Sequence, residues 1–117
     1  MRVVTINIGP TNGSGDATAY GEAILGAIYA IQLIDGDFDD YVDITITSEH
    51  ESLSIPILTS ANFNTDQIVY PRVLESLNTD ASALTTHAMP LSIGRIKAVV
   101  AQGGDTKSGA VKLYIIE

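Results

Sequence analysis

The chain has 117 residues, of which 45% are hydrophobic and 17% charged, and this balance excludes a disordered chain and predicts one globular domain over residues 1–117. Six Lys and Arg residues against 14 Asp and Glu residues give a net charge of −8. Nucleic acid and anionic membrane surfaces are therefore not expected as partners, because both require a basic footprint. The absence of cysteine excludes disulfides and thiolate chemistry.

The amino-terminal segment alternates polar and apolar residues, whereas a signal peptide has a continuous apolar core. The longest apolar stretch, residues 23–34, is shorter than the roughly 20 residues that a membrane-spanning helix needs. We therefore expect a protein that is made in a cytoplasm and has no membrane partner.

Apolar and polar residues alternate with a period of two along most of the chain, which predicts half-buried strands. In chain order the predicted strands are residues 3–8, 24–34, 43–47, 53–58, 67–70, 95–100 and 111–116. They are rich in Val, Ile and Thr, the residues that suit a pleated sheet. Pro56 places its strand at a sheet edge or a bulge, because proline has no amide hydrogen to donate to a ladder.

The segments between these strands contain turn residues. Residues 9–16 form a predicted loop with an Asn12-Gly13 turn, and residues 103–109 are predicted to connect a hairpin. Residues 71–90 lack the alternation and place Val73, Leu74 and Leu77 at helical spacing, so we predict a long loop with one or two short helical turns. Loops of that length usually have a function or are ordered by a partner.

About seven short strands with frequent turns and no alternation of strands with helices predict an all-β fold. The expected architecture is one antiparallel β-sandwich or barrel, jelly-roll or immunoglobulin-like, with one long loop.

Five aspartates lie within nine residues, and oxygen-rich clusters of this kind can bind Ca²⁺. The weak candidates for metal ligands are Asp35, Asp37, Asp39 and Asp40. The match to a calcium-binding loop fails further along, because Asp40 stands where glycine is required and Ile46 where a bidentate Glu is required. The favoured interpretation is a solvated turn whose charges prevent wrong strand pairing, with no metal and no cofactor.

No catalytic constellation is recognisable, so we expect a protein that is not an enzyme. His50 and His87 are far apart, and a zinc site would need additional ligands from elsewhere. Ser14 lies in a flexible turn, and Lys107-Ser108 lacks the glycines of a phosphate-binding loop. The seven aromatic residues fall in different predicted segments, which favours roles in the core or in strand pairs over a tyrosine platform for sugars or peptides.

The low share of charged residues and the mean hydropathy of +0.22 favour a subunit of an assembly, because the centres of protein interfaces are depleted in charge. The long loop is the expected contact segment, and the candidate interface residues are Leu74, Leu77, Leu84, His87 and Met89.

Four stretches resemble a family of small structural proteins of tailed bacteriophages. They are GSGDATAY at residues 13–20, GAIYAIQLIDGDFDDYVDITITSE at 26–49, IVYPR at 68–72 and GRIKAVVAQGGDTKSGAVKLYII at 94–116. The likeness is clearest over the last 25 residues, and residues 74–91 depart from the family pattern. Because no matched position is catalytic in that family, the resemblance implies no active site.

The resemblance implies a virion structural component, and we expect a capsid decoration (cement) protein on the surface of a phage head. Its partners would be the major capsid protein and two further copies of itself in a homotrimer. Two alternatives remain open at this point: a head–tail connector or tail subunit, and a carbohydrate-binding β module that uses the tyrosines for surface attachment.

Overall fold

A computed structural model describes residues 1–76 and 82–117, and these residues form nine strands joined by turns. The strands are β1 (Arg2–Ile8), β2 (Ala17–Ile34), β3 (Val42–His50), β4 (Leu53–Phe63), β5 (Gln67–Val69), β6 (Val73–Ser76), β7 (Ala83–Ala88), β8 (Leu91–Ala101) and β9 (Gly109–Ile116). All of the pairings are antiparallel, so the predicted all-β antiparallel fold is confirmed.

The main sheet has seven strands in the order β1-β9-β2-β8-β3-β4, with β5 paired to β2 outside this path. Strand β2 is 18 residues long, and its Ala27 and Ile31 pair with β9 on one side. On its other side, Ala27 pairs with Leu91 of β8 and Ile31 pairs with β5. The two halves of β2 therefore belong to different parts of the sheet.

Strand β2 bends near its middle, so that its two ends lie at the same end of the molecule. Ala17 pairs with Val100 near the end of β8, and Ile34 pairs with Ala110 at the start of β9. Register shifts lie on both sides of the bend, between Tyr20 and Ala23 and between Ile28 and Ala30. Such irregularities let one strand turn from one layer of a sandwich into the other.

A glycine allows the close approach at this bend. A Cβ atom at Gly26 would lie 2.7 Å from the carbonyl oxygen of Ile116 and 3.0 Å from the side chain of Ile115. Any larger residue would push the end of β9 away from β2.

The core lies between the two layers and consists almost entirely of branched aliphatic side chains. Ile6 of β1 packs over Gly21 in the first half of β2, which brings the layers face to face. Each fully buried Ile or Leu side chain stabilises the fold by about 1.5–3 kcal/mol. The largest side chains with almost no exposure are Ile8, Ile28, Ile31, Leu33, Ile44, Ile46, Ile96, Leu113 and Ile115.

The prediction for Pro56 is confirmed. It lies in β4, an edge strand of the main sheet, where the register with β3 shifts between Ile46 and Thr47. The residue without an amide hydrogen therefore lies next to a point where the ladder is already interrupted.

The predicted hairpin at residues 103–109 is wrong. Strands β8 and β9 flank β2 rather than pairing with each other, so this segment crosses one end of the sandwich. Turn residues look the same whether or not the strands that flank them pair with each other. The insertion of β2 between β8 and β9 depends on pairings between residues far apart in the chain, and a local pattern does not show them.

The predicted long loop with helical turns at residues 71–90 is also wrong where the structure describes it. Strands β6 and β7 form a separate two-stranded sheet, with Val73 opposite Ala88, Leu74 opposite His87 and Ser76 opposite Ala83. Alternation is missing from the sequence because the described side chains of these strands are mostly exposed, with no clear division into a buried and a solvent face. Leu77 lies outside the described residues.

Candidate interaction surface

The aspartates of the predicted acidic turn follow β2 at one end of the sandwich, where three loops meet. We call this the loop end and define it as residues 9–16, 35–41 and 102–108. The Asp37 amide donates to the carbonyl of Ser108 at 3.0 Å, and the Asp37 carboxylate accepts from the Ser108 amide at 2.6 Å. The Asp39 amide donates to the carbonyl of Gly103 at 3.0 Å. The turn is thus tied to the crossing segment by its own backbone and by one carboxylate.

Thr11 makes a similar connection from the first loop. Its hydroxyl accepts from the Lys107 amide at 2.9 Å and donates to the carbonyl of Gly104, and the residue is 4% exposed. The Gly103 amide donates to the carbonyl of Gly15 at 2.9 Å. These bonds join all three loops into one hydrogen-bonded unit.

Asp35 differs from the rest of the acidic turn in having a buried carboxylate oxygen. Its Oδ1 is buried and finds no hydrogen-bond partner among the described residues. Burial raises the pKa of the Asp35 carboxyl above its usual value of 3.8. The neighbouring carboxylates raise it further, in the order Asp40, Asp66 and Asp37.

Over residues 1–76 and 82–117, no group of three His, Asp or Glu side chains is arranged to hold a metal ion. Asp37 is occupied with the Ser108 amide, and the Asp39 carboxyl lies against Gly104. His50 is exposed at the end of β3, and His87 is exposed on β7. The structure therefore does not bring the weak metal candidates together with either histidine.

The opposite end of the sandwich, at the bend of β2, is apolar and open. We call this the apolar end and define it as Leu25, Leu91 and Ile93. Leu25 of β2 pairs with Ile93 of β8, and Ala27 pairs with Leu91. The exposed fractions are 75% for Leu25, 60% for Leu91 and 42% for Ile93. This group of exposed apolar side chains is the candidate interaction surface of the molecule.

The backbone below this surface is held firmly. The Ser48 hydroxyl accepts from the Ile93 amide at 2.9 Å and donates to the Ile93 carbonyl at 2.8 Å. Ser92 adds a hydroxyl–hydroxyl contact with Ser48 at 3.1 Å, and both serines are fully buried. The apolar end is thus presented by a fixed part of the sheet.

Strands β6 and β7, which we call the arm, extend the apolar end. A groove of about 500 Å³ runs between the arm and the sandwich. Its walls are apolar except for one carboxylate and consist of Ile55, Pro56, Val73, Leu74, Glu75, Ala88, Met89, Pro90, Leu91 and Ile93.

Of the predicted interface residues, Leu74, Leu84 and His87 lie on the arm and Met89 directly follows it, whereas Leu77 lies outside the described residues. Leu74 and Met89 line the groove. Leu84 and His87 are exposed on β7, with 36% of Leu84 accessible. Sequence analysis missed the apolar end itself, although extending the alternation of β8 backwards from Arg95 would have placed Ile93 and Leu91 on the same solvent face.

Two arginines near the apolar end have partners within the chain. Arg2 contacts Glu22 at 2.6 Å and Glu117 at 3.4 Å, and the hydrogen bond to Glu22 is the main reason that the pKa of Arg2 is raised. Farther along β8, Arg95 lies over the ring of Tyr20 at 3.9 Å from its centroid. Both cations beside the apolar end are therefore already engaged within the chain.

The described residues include no helix long and apolar enough to cross a membrane. In comparisons with known proteins, no protein-family model, no curated protein and no solved structure matches the chain significantly.

Proposed function

We propose that this protein is a capsid decoration (cement) protein, which binds the outer shell of a phage head and bridges neighbouring major capsid subunits. The observation that supports this proposal best is the apolar end with its adjoining groove and arm. An exposed apolar surface on a rigid β-sandwich suits burial against another protein. A resemblance to phage structural proteins supports a phage head as the binding partner. It covers residues 13–20, 26–49, 68–72 and 94–116.

The mechanism is a linkage effect. A protein that binds the assembled shell and has no affinity for free capsid subunits stabilises the shell, by an amount that grows with its concentration relative to Kd. The stabilised shell resists the outward pressure of packaged DNA, so the role of the protein is mechanical. The net charge of −8 complements basic patches on a capsid subunit and steers the two proteins together.

Within this proposal the apolar end contacts the shell and the arms join three copies into a trimer. The arm carries exposed Val73, Leu74 and Leu84, and a neighbouring copy would cover them. In a trimer with a closed threefold axis, each of the three identical arms buries its exposed apolar side chains against a neighbouring copy.

The copy number in purified virions tests the proposal. A stained gel should show the protein at hundreds of copies per head, on the order of the number of capsid subunits. A ring of about six or twelve copies would identify a connector instead, and absence from the virion would overturn both functions.

A binding experiment tests the surface. Heads that lack the protein are mixed with the wild type or with the double variant Leu25→Ser/Leu91→Ser, and bound protein is separated by sedimentation. We expect the double variant to lose at least tenfold in affinity while it still melts like the wild type. Val3→Ser, which changes a 51% exposed side chain on β1, is the matched control and should bind normally. Equal binding by all three proteins would exclude the apolar end as the contact.

A further inference from the structure

Three tyrosines from distant parts of the chain meet on the outer face of the β2–β5–β9 layer. Tyr29 belongs to β2, Tyr70 follows β5, and Tyr114 of β9 pairs with Ala30. They line a shallow hollow of about 280 Å³, together with Met1, Ala30 and Ile68. None of these residues belongs to the apolar end.

Direct contacts hold two of the rings in place. Tyr29 and Tyr70 pack edge to face with their centroids 5.7 Å apart and their planes at 77°. The Arg72 guanidinium lies 5.7 Å from the centroid of Tyr29, and its Nη1 donates to the carbonyls of Tyr29 and Pro71 at 3.0 and 2.6 Å. A site that is held in this way needs little ordering when a ligand binds.

The rings are nevertheless open to solvent. The exposed fractions are 40% for Tyr29, 57% for Tyr70 and 53% for Ile68. Tyrosine combines a flat apolar surface with a hydroxyl that donates and accepts hydrogen bonds. A ligand for this hollow must therefore offer an apolar face and polar groups around it.

Polar groups stand beside the hollow. The Tyr114 hydroxyl donates to the Gln32 side-chain carbonyl at 3.4 Å, and its oxygen keeps the capacity to accept a hydrogen bond from a ligand. Gln32 pairs with Lys112 on the neighbouring strand, and no Asp or Glu lines the hollow although the chain carries a net charge of −8. A few convergent polar groups around an apolar floor are typical of small-ligand sites.

We propose that this hollow binds one pyranose ring of a saccharide. The C–H face of the sugar packs on Tyr70 and Ile68, and its hydroxyls bond to the tyrosine hydroxyls around the hollow. The volume suits a single sugar ring and is too small for a peptide helix. The proposal does not depend on the capsid role, because the hollow and the apolar end share no residue.

The test is a glycan array of neutral hexoses, N-acetylhexosamines and uronic acids, followed by titration of the best binder. Because the chain has no tryptophan, its tyrosine fluorescence reports binding directly. We expect at least one pyranoside to bind and Tyr70→Ala to weaken it at least tenfold. Tyr41→Ala, which removes a 62% exposed tyrosine at the loop end, is the matched control and should bind as the wild type does.

Tyr70→Leu provides a second variant if Tyr70→Ala fails to fold, because it keeps an apolar side chain and removes only the ring. The proposal is overturned if no saccharide binds, or if a folded Tyr70 variant binds as tightly as the wild type. In either case the three tyrosines serve only to fasten β5 and the start of the arm onto β2.

Discussion

The two ends of this sandwich differ in whether their groups contact the same chain or solvent: the loop end is hydrogen-bonded within the chain, and the apolar end is exposed. At the loop end, backbone amides, Thr11 and Asp37 bond to groups of the same chain, and Phe38 is 5% exposed beneath them. At the apolar end, Leu25 and Leu91 extend into solvent. The charged and glycine-rich loops, which are the most conspicuous features of the sequence, are thus hydrogen-bonded to one another. The surface that is left apolar and exposed is made of ordinary aliphatic residues.

A large effect is expected of Phe38→Ala at the loop end. Phe38 packs against Gly103 and Gly109 below the crossing segment, so its truncation leaves a cavity. We expect the free energy of unfolding to fall by about 3–5 kcal/mol, measured by denaturant titration. Tyr41→Ala, which truncates an exposed aromatic in the same turn, is the control. A loss below about 1 kcal/mol for Phe38→Ala would show that the loops do not form a cooperative unit with the core.

Thr11→Val tests the hydrogen bonds of the same region. Valine keeps the shape but removes the hydroxyl, so the Lys107 amide and the Gly104 carbonyl lose their partner. We expect a loss of about 1–3 kcal/mol in thermal or chemical unfolding. Thr5→Val, on the exposed face of β1, should change stability by less than about 0.5 kcal/mol. Equal effects at both positions would contradict a stabilising role for the two hydrogen bonds of the Thr11 hydroxyl.

Substitutions at two neighbouring residues of β2 compare how much the core and the apolar end contribute to the free energy of unfolding. Ile24 is 2% exposed and Leu25 is 75% exposed, on opposite faces of β2. Ile24→Ser should destabilise the fold by more than about 3 kcal/mol, whereas Leu25→Ser should stay within about 0.5 kcal/mol of the wild type. Strong destabilisation by Leu25→Ser in the isolated protein would mean that this side chain already has a partner.

Asp35→Asn gives a small stabilising effect whose size depends on pH. Because the folded-state pKa of Asp35 is raised, the folded state binds its proton more tightly than the unfolded state, and this carboxyl destabilises the fold as pH rises above about 3.8. Asp35→Asn should therefore raise Tm at pH 7, and the difference should vanish below about pH 3.8. Asp16→Asn makes the same change of charge in an exposed loop position. A gain of equal size from Asp16→Asn would attribute the effect to net charge alone.

The smallest expected effect is that of a chelator. Since the acidic turn is bonded to the crossing segment through Asp37 and Asp39, we expect EDTA to leave Tm unchanged and added Ca²⁺ to have no effect. A drop in Tm with EDTA that Ca²⁺ reverses would assign a cation to the loop end.

Short-range pattern predicted the main strands and the fold class, because alternation between two faces is written into each strand separately. It also placed Pro56 correctly at an interrupted edge. The same pattern failed for the arm, whose described residues in β6 and β7 lack a clear buried face and so have no alternation to detect. The connection at residues 103–109 failed for a different reason, since turn residues look alike whether the flanking strands pair or not.

The sequence by itself determined an acidic, all-β domain with an aliphatic core, since composition and periodicity are local properties of the chain. Only the tertiary structure decided that β2 bends and is shared by both layers, which requires register shifts and the approach of Ile116 to Gly26. The pairings of β2 with β8, β9 and β5 place Leu25 beside Ile93 and bring Tyr29, Tyr70 and Tyr114 together from separate segments. Which side chains become neighbours depends on pairings between residues far apart in the chain, and no local pattern records them.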